Sequence, residues 1–145
     1  MSMKRFAKIT EKPINPSEIL HAVEDDAAGG TVLFLGTIRN RNEGRAVESL
    51  EYEVYKEMAE KRMTELEKAV VEKWPIKKIA MVHRYGRLRI GEVSVAVAVS
   101  SEHRAEAFEA GKFAIDTIKR TLPLWKKEKL KSGEEAWTKG ESIRT

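Results

Sequence analysis

The sequence predicts an α+β fold of two layers, in which helices pack on a mixed sheet. Strand-like and helix-like segments alternate along the 145 residues in the order β-α-β-β-α-β-β-α-β-β, which combines hairpins with crossovers. Two long segments carry apolar residues every three or four positions, and other segments have the apolar character of buried strands. The length fits one domain, so we expect residues 1–145 to form a single unit.

The first half of the chain predicts three strands and two helices. Lys4–Thr10 has the pattern of a short strand, and Asn15–Glu18 combines an N-cap, a proline at the first helical position and an acid for a capping box. Thr31–Ile38 is apolar and β-branched, which favours a buried strand, and Leu50–Val54 alternates apolar with acidic residues. The next helix ends before Pro75, and its apolar stripe consists of Ala59, Met63, Leu66, Val70 and Trp74.

The second half predicts two strands, one long helix and a hairpin. Lys78–Tyr85 and Glu92–Ser100 are the strands, and the valines of the second strand share one face. We expect Ser100–Glu102 to open the helix and Pro123 to end it, and Leu124–Thr138 to form a short hairpin. The predicted buried stripe of the helix consists of Phe108, Gly111, Ile115, Ile118 and Leu122.

Composition excludes several classes of function. The chain has no cysteine, which rules out disulfides, thiolate metal sites and a cysteine nucleophile, so any sulfur chemistry must obtain its sulfur elsewhere. With only three histidines, we expect no metal site and no cofactor. No apolar leader or membrane-length run is present, so we expect a cytoplasmic protein. The net charge of +4 suggests anionic partners, although a heat-adapted surface would give the same composition.

Two polar segments at element ends could bind anions. Arg39–Arg41 follows a predicted strand, and its guanidinium groups match phosphate or carboxylate oxygens, although a solvated hairpin loop is the alternative. His103 and Arg104 stand at a predicted helix N-terminus, where backbone N–H groups and the helix dipole attract anions. Ordinary exposed surface residues are the alternative there.

A third segment, rich in lysine, begins at the end of the last helix. Lys119 borders the buried stripe, and a partly desolvated lysine beside other cations suits nucleophilic or acid–base work, although spacing alone favours a lysine that covers apolar surface with its stem. Pro123 turns the chain so that Lys126 can return toward Lys119. Between Lys119 and Lys131 the only acid is Glu128, so this stretch is a candidate anion surface.

Taken in order, these motifs resemble the catalytic (large) subunits of molybdopterin synthase, the MoaE family, over nearly the whole chain. Several separate motifs in the right order are much harder to match by chance than one. The matching stretches are Gly36–Gly44, His83–Gly86 with Gly91-Glu92, Ser100–Arg104 with Ala107–Ala110, and Lys119 with Pro123–Glu128. Lys139–Thr145 matches poorly, which puts any contribution of the tail to a pocket in doubt.

The resemblance implies a hammerhead-like fold that forms a homodimer and joins two copies of a small ubiquitin-like subunit in a heterotetramer. The C-terminal Gly-Gly thiocarboxylate of that sulfur carrier would supply sulfur to cyclic pyranopterin monophosphate, forming the dithiolene of molybdopterin. The chain would then be a sulfurtransferase. The resemblance places in its pocket Arg39, His103, Arg104, Lys119 and Lys126, with Thr37, Ile38, Lys127 and Glu128 adjacent.

Residue types suggest how such a pocket would work. Arg39, His103 and Arg104 would hold the phosphate. Lys119 would activate or covalently hold the pterin or the tail carbonyl, and Lys126 would stabilise oxyanionic charge, which makes these two the candidate catalytic residues. One rival interpretation is a nucleic-acid-binding module that grips the phosphate backbone through residues 119–131, and another is a structural dimer without activity. The separation of the basic residues into three segments favours a pocket.

Overall fold

The computed structural model describes residues 5–139; Lys4 of the predicted first strand and residues 140–145 of the poorly matching tail lie outside them. The α+β class and the mixed, largely antiparallel strand arrangement are confirmed. No helix in this part of the chain is long and apolar enough to cross a membrane. The elements are β1 (Arg5–Thr10), α1 (Pro16–Ala22), β2 (Gly30–Thr37), β3 (Arg41–Asn42), β4 (Arg45–Val54), α2 (Lys56–Lys73), β5 (Ile76–Arg84), β6 (Gly86–Arg89), β7 (Val93–Ser101), α3 (Arg104–Thr121), β8 (Leu124–Leu130) and β9 (Glu135–Lys139).

The first sheet has the strand order β1-β5-β7-β2, with β1 parallel to β5 and the other pairs antiparallel. The alternation in β7 explains how both faces of this sheet become covered. Val95, Val97 and Val99 belong to the large core that contains the apolar stripes of α2 and α3, whereas Ala96 and Ala98 belong to a smaller core beneath α1. The predicted division of β7 into a valine face and a small-residue face is confirmed.

The long helices pack largely as their periodicity predicts. The stripe of α2 is buried from Ala59 to Val70, and the Trp74 ring that follows it packs against Phe113 with 5.2 Å between ring centroids. In α3, however, the expectation for Phe108 was wrong, since this residue is 60% exposed. The buried stripe also contains three alanines, which let the helix approach the sheet and shift the contact line away from Phe108. These are Ala107, Ala110 and Ala114.

The start of α3 also differs from expectation. Ser100 and Ser101 extend β7, where they pair with β2 and β5, and the helix begins only at Arg104. His103 occupies the N-cap position without a side-chain capping bond, and the Ser101 hydroxyl donates to the His103 carbonyl. Strand pairing on both sides of β7 therefore outweighs the helix-starting tendency of the two serines.

The second sheet has the order β3-β4-β8-β9, with β6 paired to β4 as well. Two of its strands, β3 and β6, lie in segments that the sequence predicts as loops. Both are short, and Arg41 and Asn42 pair only with Ala46 and Arg45 across a tight turn. The predicted C-terminal hairpin is confirmed as β8 and β9. This sheet meets the first one near the ends of β2 and α3.

Candidate active site

A cavity of about 380 Å³ opens where the two sheets meet, beside the C-terminal end of α3. Its walls come from the end of β2, the segment up to β3, the inner faces of β4 and β8, one residue of β7 and one of α3. The lining residues are Phe34, Leu35, Gly36, Thr37, Ile38, Arg39, Arg41, Asn42, Leu50, Tyr52, Ser94, Lys119, Lys126 and Glu128.

Strand β8 directs two charged side chains toward the interior. Leu124, Lys126, Glu128 and Leu130 alternate along the strand and share one face; the two leucines and Glu128 are buried. Inward positions on a strand usually hold apolar side chains, because burying a charge costs free energy unless a partner compensates. Lys126 and Glu128 at such positions therefore indicate a functional site rather than a stabilising role.

Lys119 reaches the same cavity from the last turn of α3, where it is half-buried. The helix ends at Thr121 with Leu122 as its C-cap, and after Pro123 the chain returns as β8; the Leu124 N–H donates to the Leu122 carbonyl at 2.8 Å. This sharp return places Lys126 on the wall that faces the end of the helix. Both lysines consequently line one cavity.

Arg39, in the connection between β2 and β3, and Arg41, the first residue of β3, both enter the cavity. The residue before them, Ile38, is held by two backbone hydrogen bonds: its N–H donates to the Glu92 carbonyl at 3.0 Å, and its carbonyl accepts from the Gly91 N–H at 2.8 Å. Both arginines are exposed. The backbone directly before Arg39 is thus fixed, and both exposed guanidinium groups have room to close on an anion.

The turn that holds Ile38 is itself fixed by the Glu92 carboxylate. Its Oε1 accepts from the Arg89 backbone N–H at 2.7 Å, and its Oε2 accepts from the Arg84 guanidinium at 3.1 Å. The hydrogen bond from Arg89, followed by that from Arg84, lowers the pKa of the Glu92 carboxyl. The carboxylate therefore stays ionised at neutral pH and keeps this wall of the cavity in place.

The buried carboxylate of Glu128 is bound by an amide from the hairpin between β3 and β4. Asn42 Nδ2 donates to both of its oxygens, at 3.0 and 2.9 Å, although 86 residues separate the two side chains in the sequence. Glu128 is only 3% exposed, so a donor at this place offsets part of the cost of burying its charge.

The electrostatic character of the cavity is cationic. Arg39, Arg41, Lys119 and Lys126 contribute four positive charges against the one carboxylate of Glu128. Among residues 5–139, no cluster of three or more potential metal-binding His, Asp or Glu side chains is present. The arrangement can hold a phosphate or carboxylate group and can present a lysine amine to it.

Six of the nine predicted site residues line this cavity, and Lys127 is one of the three that do not. It lies on the opposite face of β8 from Lys126, where its Nζ is 3.9 Å from a Glu135 oxygen and 5.1 Å from the centre of the Trp137 ring. The six are Thr37, Ile38, Arg39, Lys119, Lys126 and Glu128.

His103 and Arg104 also lie outside the cavity. They stand at the N-terminal end of α3, and at about 1.5 Å per residue the helix carries Lys119 about 22 Å away from Arg104. Both side chains are exposed, and His103 Nε2 is 3.3 Å from a Glu102 oxygen. Within one copy of the chain, His103 and Arg104 therefore do not reach the cavity that Lys119 and Lys126 line.

Sequence reasoning missed several residues that line the cavity. Arg41 was noted in the polar loop but not assigned to the site, and Asn42, Tyr52 and Ser94 were not singled out. The alternation of β8 could have indicated Glu128 and Lys126 as inward charges. Nothing in the local pattern indicates that Asn42 meets Glu128, because that contact depends on how β3 lies across β4.

Comparisons with known proteins agree on one family. Residues 9–121 match the family model described as MoaE protein. A curated relative from Halalkalibacterium halodurans, a molybdopterin synthase catalytic subunit, is 42% identical over 134 residues, which cover 92% of this chain and 85% of the relative. The crystal structure of molybdopterin synthase from Staphylococcus aureus superposes with a TM-score of 0.84 at 37% identity, covering 94% of this chain and 98% of that one. The complex of subunits 1 and 2 of the molybdopterin-converting factor from Helicobacter pylori shares the fold, with a TM-score of 0.74 at 20% identity over 93% of this chain and 91% of that one.

Proposed function

The chain belongs to the MoaE family of molybdopterin synthase catalytic subunits, and from this premise we propose that it is a sulfurtransferase. It takes sulfur from the C-terminal thiocarboxylate of a small ubiquitin-like carrier subunit and adds it to cyclic pyranopterin monophosphate, forming the dithiolene of molybdopterin. The reaction belongs to molybdenum cofactor biosynthesis. We place it in the cytoplasm, and we treat residues 1–145 as one catalytic domain.

The observation that carries this proposal is the meeting of Lys119 and Lys126 with Arg39 in one cavity. The pterin substrate carries a phosphate, and the carrier tail ends in an anionic thiocarboxylate, so a cationic cavity suits both. The chain has no cysteine, which fits a reaction whose sulfur arrives on the partner. A nucleic-acid-binding module is not supported, because the matching relatives are molybdopterin synthase subunits and four of the basic residues converge on the cavity.

Each residue that lines the cavity would have a role set by its position. Arg39 holds the phosphate, since a guanidinium group binds it in a bidentate fashion. Lys119 activates the carbonyl under attack or holds it covalently, and Lys126 stabilises the negative charge that develops on oxygen. Thr37 and Ile38 shape the wall beside them, and Lys127 supports the outer face of β8 without contacting substrate.

The partner subunit would deliver its tail into this cavity. A Gly-Gly tail has no side chains beyond hydrogen, so it passes through a narrow entry that other residues could not use. The Helicobacter pylori structure that shares this fold is a complex of subunits 1 and 2 of the molybdopterin-converting factor, which supports an assembly of a large and a small subunit. We propose a heterotetramer in which two copies of this chain each bind one carrier.

A second copy of the chain would supply His103 and Arg104. They cannot reach Lys119 within one copy, because the length of α3 separates them by about 22 Å. A shared site across a homodimer resolves this distance. The geometry of β2 supports such a dimer.

Strand β2 runs beside α3 from one group of site residues to the other. Its first residue, Gly30, lies against Arg104, and its last residues line the cavity with Lys119, about 23 Å further along the strand. It is the last strand of its sheet, and no other described strand pairs with its outer edge. Antiparallel pairing of β2 with its copy about a twofold axis would place the partner's Arg104 end beside this cavity.

The protein is therefore expected to be a dimer in solution without its carrier. Pairing of β2 edges would also cover Phe34, which is 38% exposed in a single copy of the chain. Light scattering at micromolar concentration should give about twice the 16.5 kDa chain mass. A monomeric mass would contradict the shared site.

Replacing Arg39 by alanine should weaken substrate binding more than it lowers the rate of the bound complex. Loss of one charged hydrogen bond to phosphate costs about 1.5–3 kcal/mol, or roughly a tenfold to hundredfold increase in Kd. Calorimetric titration with cyclic pyranopterin monophosphate measures the change. Arg45→Ala is the matched control, since Arg45 lies on the same hairpin but outside the cavity. Equal affinities for wild type and Arg39→Ala would place the phosphate elsewhere.

The experiment that tests the function is reconstitution. The purified protein is mixed with a thiocarboxylated carrier subunit and cyclic pyranopterin monophosphate, and the dithiolene product is measured. A carrier that ends in an ordinary carboxylate is the matched control. Absence of product with the thiocarboxylated carrier would overturn the proposal.

A further inference from the structure

The hydrogen bonds between Asn42 and Glu128 join the tip of the β3–β4 hairpin to strand β8. Asn42 Nδ2 lies 3.0 and 2.9 Å from the two carboxylate oxygens, so one amide group satisfies both. Glu128 is 3% exposed, which makes its position on the strand well defined. Burial strengthens such a contact, because water competes poorly for either group.

The hairpin itself is short. Strand β3 has only two residues, and its turn places Glu43 at φ 51°, in the left-handed region that non-glycine residues disfavour. The Val47 N–H donates to the Asn40 carbonyl at 2.9 Å, and the Lys131 N–H donates to the Ala46 carbonyl at 3.0 Å, so these backbone bonds hold the base of the hairpin. The link from Asn42 to Glu128 joins the end of the hairpin nearer the cavity to β8.

The residues on this hairpin give the link a functional consequence. Arg41 directly precedes Asn42, Arg39 lies two residues before that, and both arginines line the cavity together with Lys119 and Lys126. A guanidinium group binds phosphate well only when its backbone is correctly placed, since misplacement costs the second bond of a bidentate pair.

We propose that Asn42 is a positioning residue that, acting through Glu128, fixes the hairpin so that Arg39 and Arg41 together bind the phosphate of the substrate. Arg41 is then a second phosphate-binding guanidinium. The identity of the phosphate-bearing substrate rests on the function proposed above. The positioning itself requires only that an anion bind in this cavity.

An exchange of the two polar groups tests the link. In Asn42→Asp, two carboxylates face each other, so the hairpin should move away and the Kd for cyclic pyranopterin monophosphate should rise about tenfold or more. The double variant Asn42→Asp with Glu128→Gln restores an amide-to-carboxylate bond in the opposite direction and conserves the total charge. We expect it to recover most of the lost affinity. Asn40→Ala is the matched control, because Asn40 lies on the same hairpin outside the cavity, and it should bind as wild type does.

Kd, KM, kcat and thermal melting together distinguish a positioning role of Asn42 from a role in stability and from a role in the chemical step. In Asn42→Asp, KM should rise with Kd while kcat changes less than about threefold, and thermal melting checks that the variant is folded. If Asn42→Asp does not fold, Asn42→Ala removes the bond without adding a charge and should show the same rise in Kd. Arg41→Ala should raise Kd as well. A Kd within twofold of wild type in the folded position-42 variant, or an exchange variant no better than Asn42→Asp, would overturn the proposal.

A second probe keeps this test independent of the proposed reaction. The affinity for inorganic phosphate is measured on the same variants by titration, and it should follow the same order. If the wild type binds phosphate but makes no dithiolene product, the proposed function fails while the positioning role of Asn42 is still decided by the phosphate series. If phosphate affinity does not respond to Asn42 or Arg41, the positioning role fails whatever the reaction is.

Discussion

Replacement of Lys119 by alanine should abolish formation of the dithiolene product, with a loss of at least about 10²–10³-fold in turnover. Removing one group that stabilises developing charge commonly costs this much, and a covalent role would cost more. The melting temperature should remain nearly unchanged, because Lys119 is half-buried at the border of the core and fills none of it. Product formation in the reconstituted reaction and thermal melting measure the two effects.

The neighbouring Arg120 provides the control for this prediction. It is the next residue on α3, carries the same charge, and is exposed outside the cavity. Arg120→Ala should therefore retain wild-type turnover. Normal turnover in Lys119→Ala would remove this lysine from the mechanism, and a large fall in its melting temperature would mean that the loss of activity reflects unfolding.

A heterodimer of one Lys119→Ala chain and one Arg104→Ala chain should have about half of wild-type activity, although each homodimer is strongly impaired. In a shared site, the Arg104→Ala chain keeps its own Lys119 and receives an intact Arg104 from its partner. The other site loses both residues. Heterodimers are purified through two different tags and assayed by reconstitution.

The reciprocal combination distinguishes a shared site from separate sites. A chain carrying both substitutions is paired with a wild-type chain. In a shared arrangement, the site with the wild-type Lys119 receives no Arg104 and the other site has no Lys119, so activity should fall to about half that of the Arg104→Ala homodimer. Half of wild-type activity in this heterodimer would mean that each chain builds its site alone. Lys119→Ala paired with wild type should give about half in either case and serves as the reference.

Much of the fold could be predicted because local periodicity and burial agree. The stripe of α2 from Ala59 to Val70 and the alternation of β7 follow directly from apolar spacing, and the observed core contains both. The errors occur where neighbouring elements decide the outcome. Ser100 and Ser101 stay in β7 because strands on both sides pair with them, and Phe108 is exposed because three alanines set the contact line of α3.

For the candidate site, the sequence alone specified the residue types, the family and the absence of a cysteine nucleophile, because these depend only on residue identity and on the order of the motifs. It also determined that Lys119 borders a buried stripe, since helical spacing is local. Strand alternation turns Lys127 away from Lys126, and helical rise separates Arg104 from Lys119, so both relations follow locally once the elements are known. Tertiary structure decided the rest. Only the packing of the two sheets brings Asn42 onto Glu128 and places Lys119 and Lys126 in one cavity with Arg39. Asn42 and Glu128 are 86 residues apart in the sequence, so no local pattern could specify their contact.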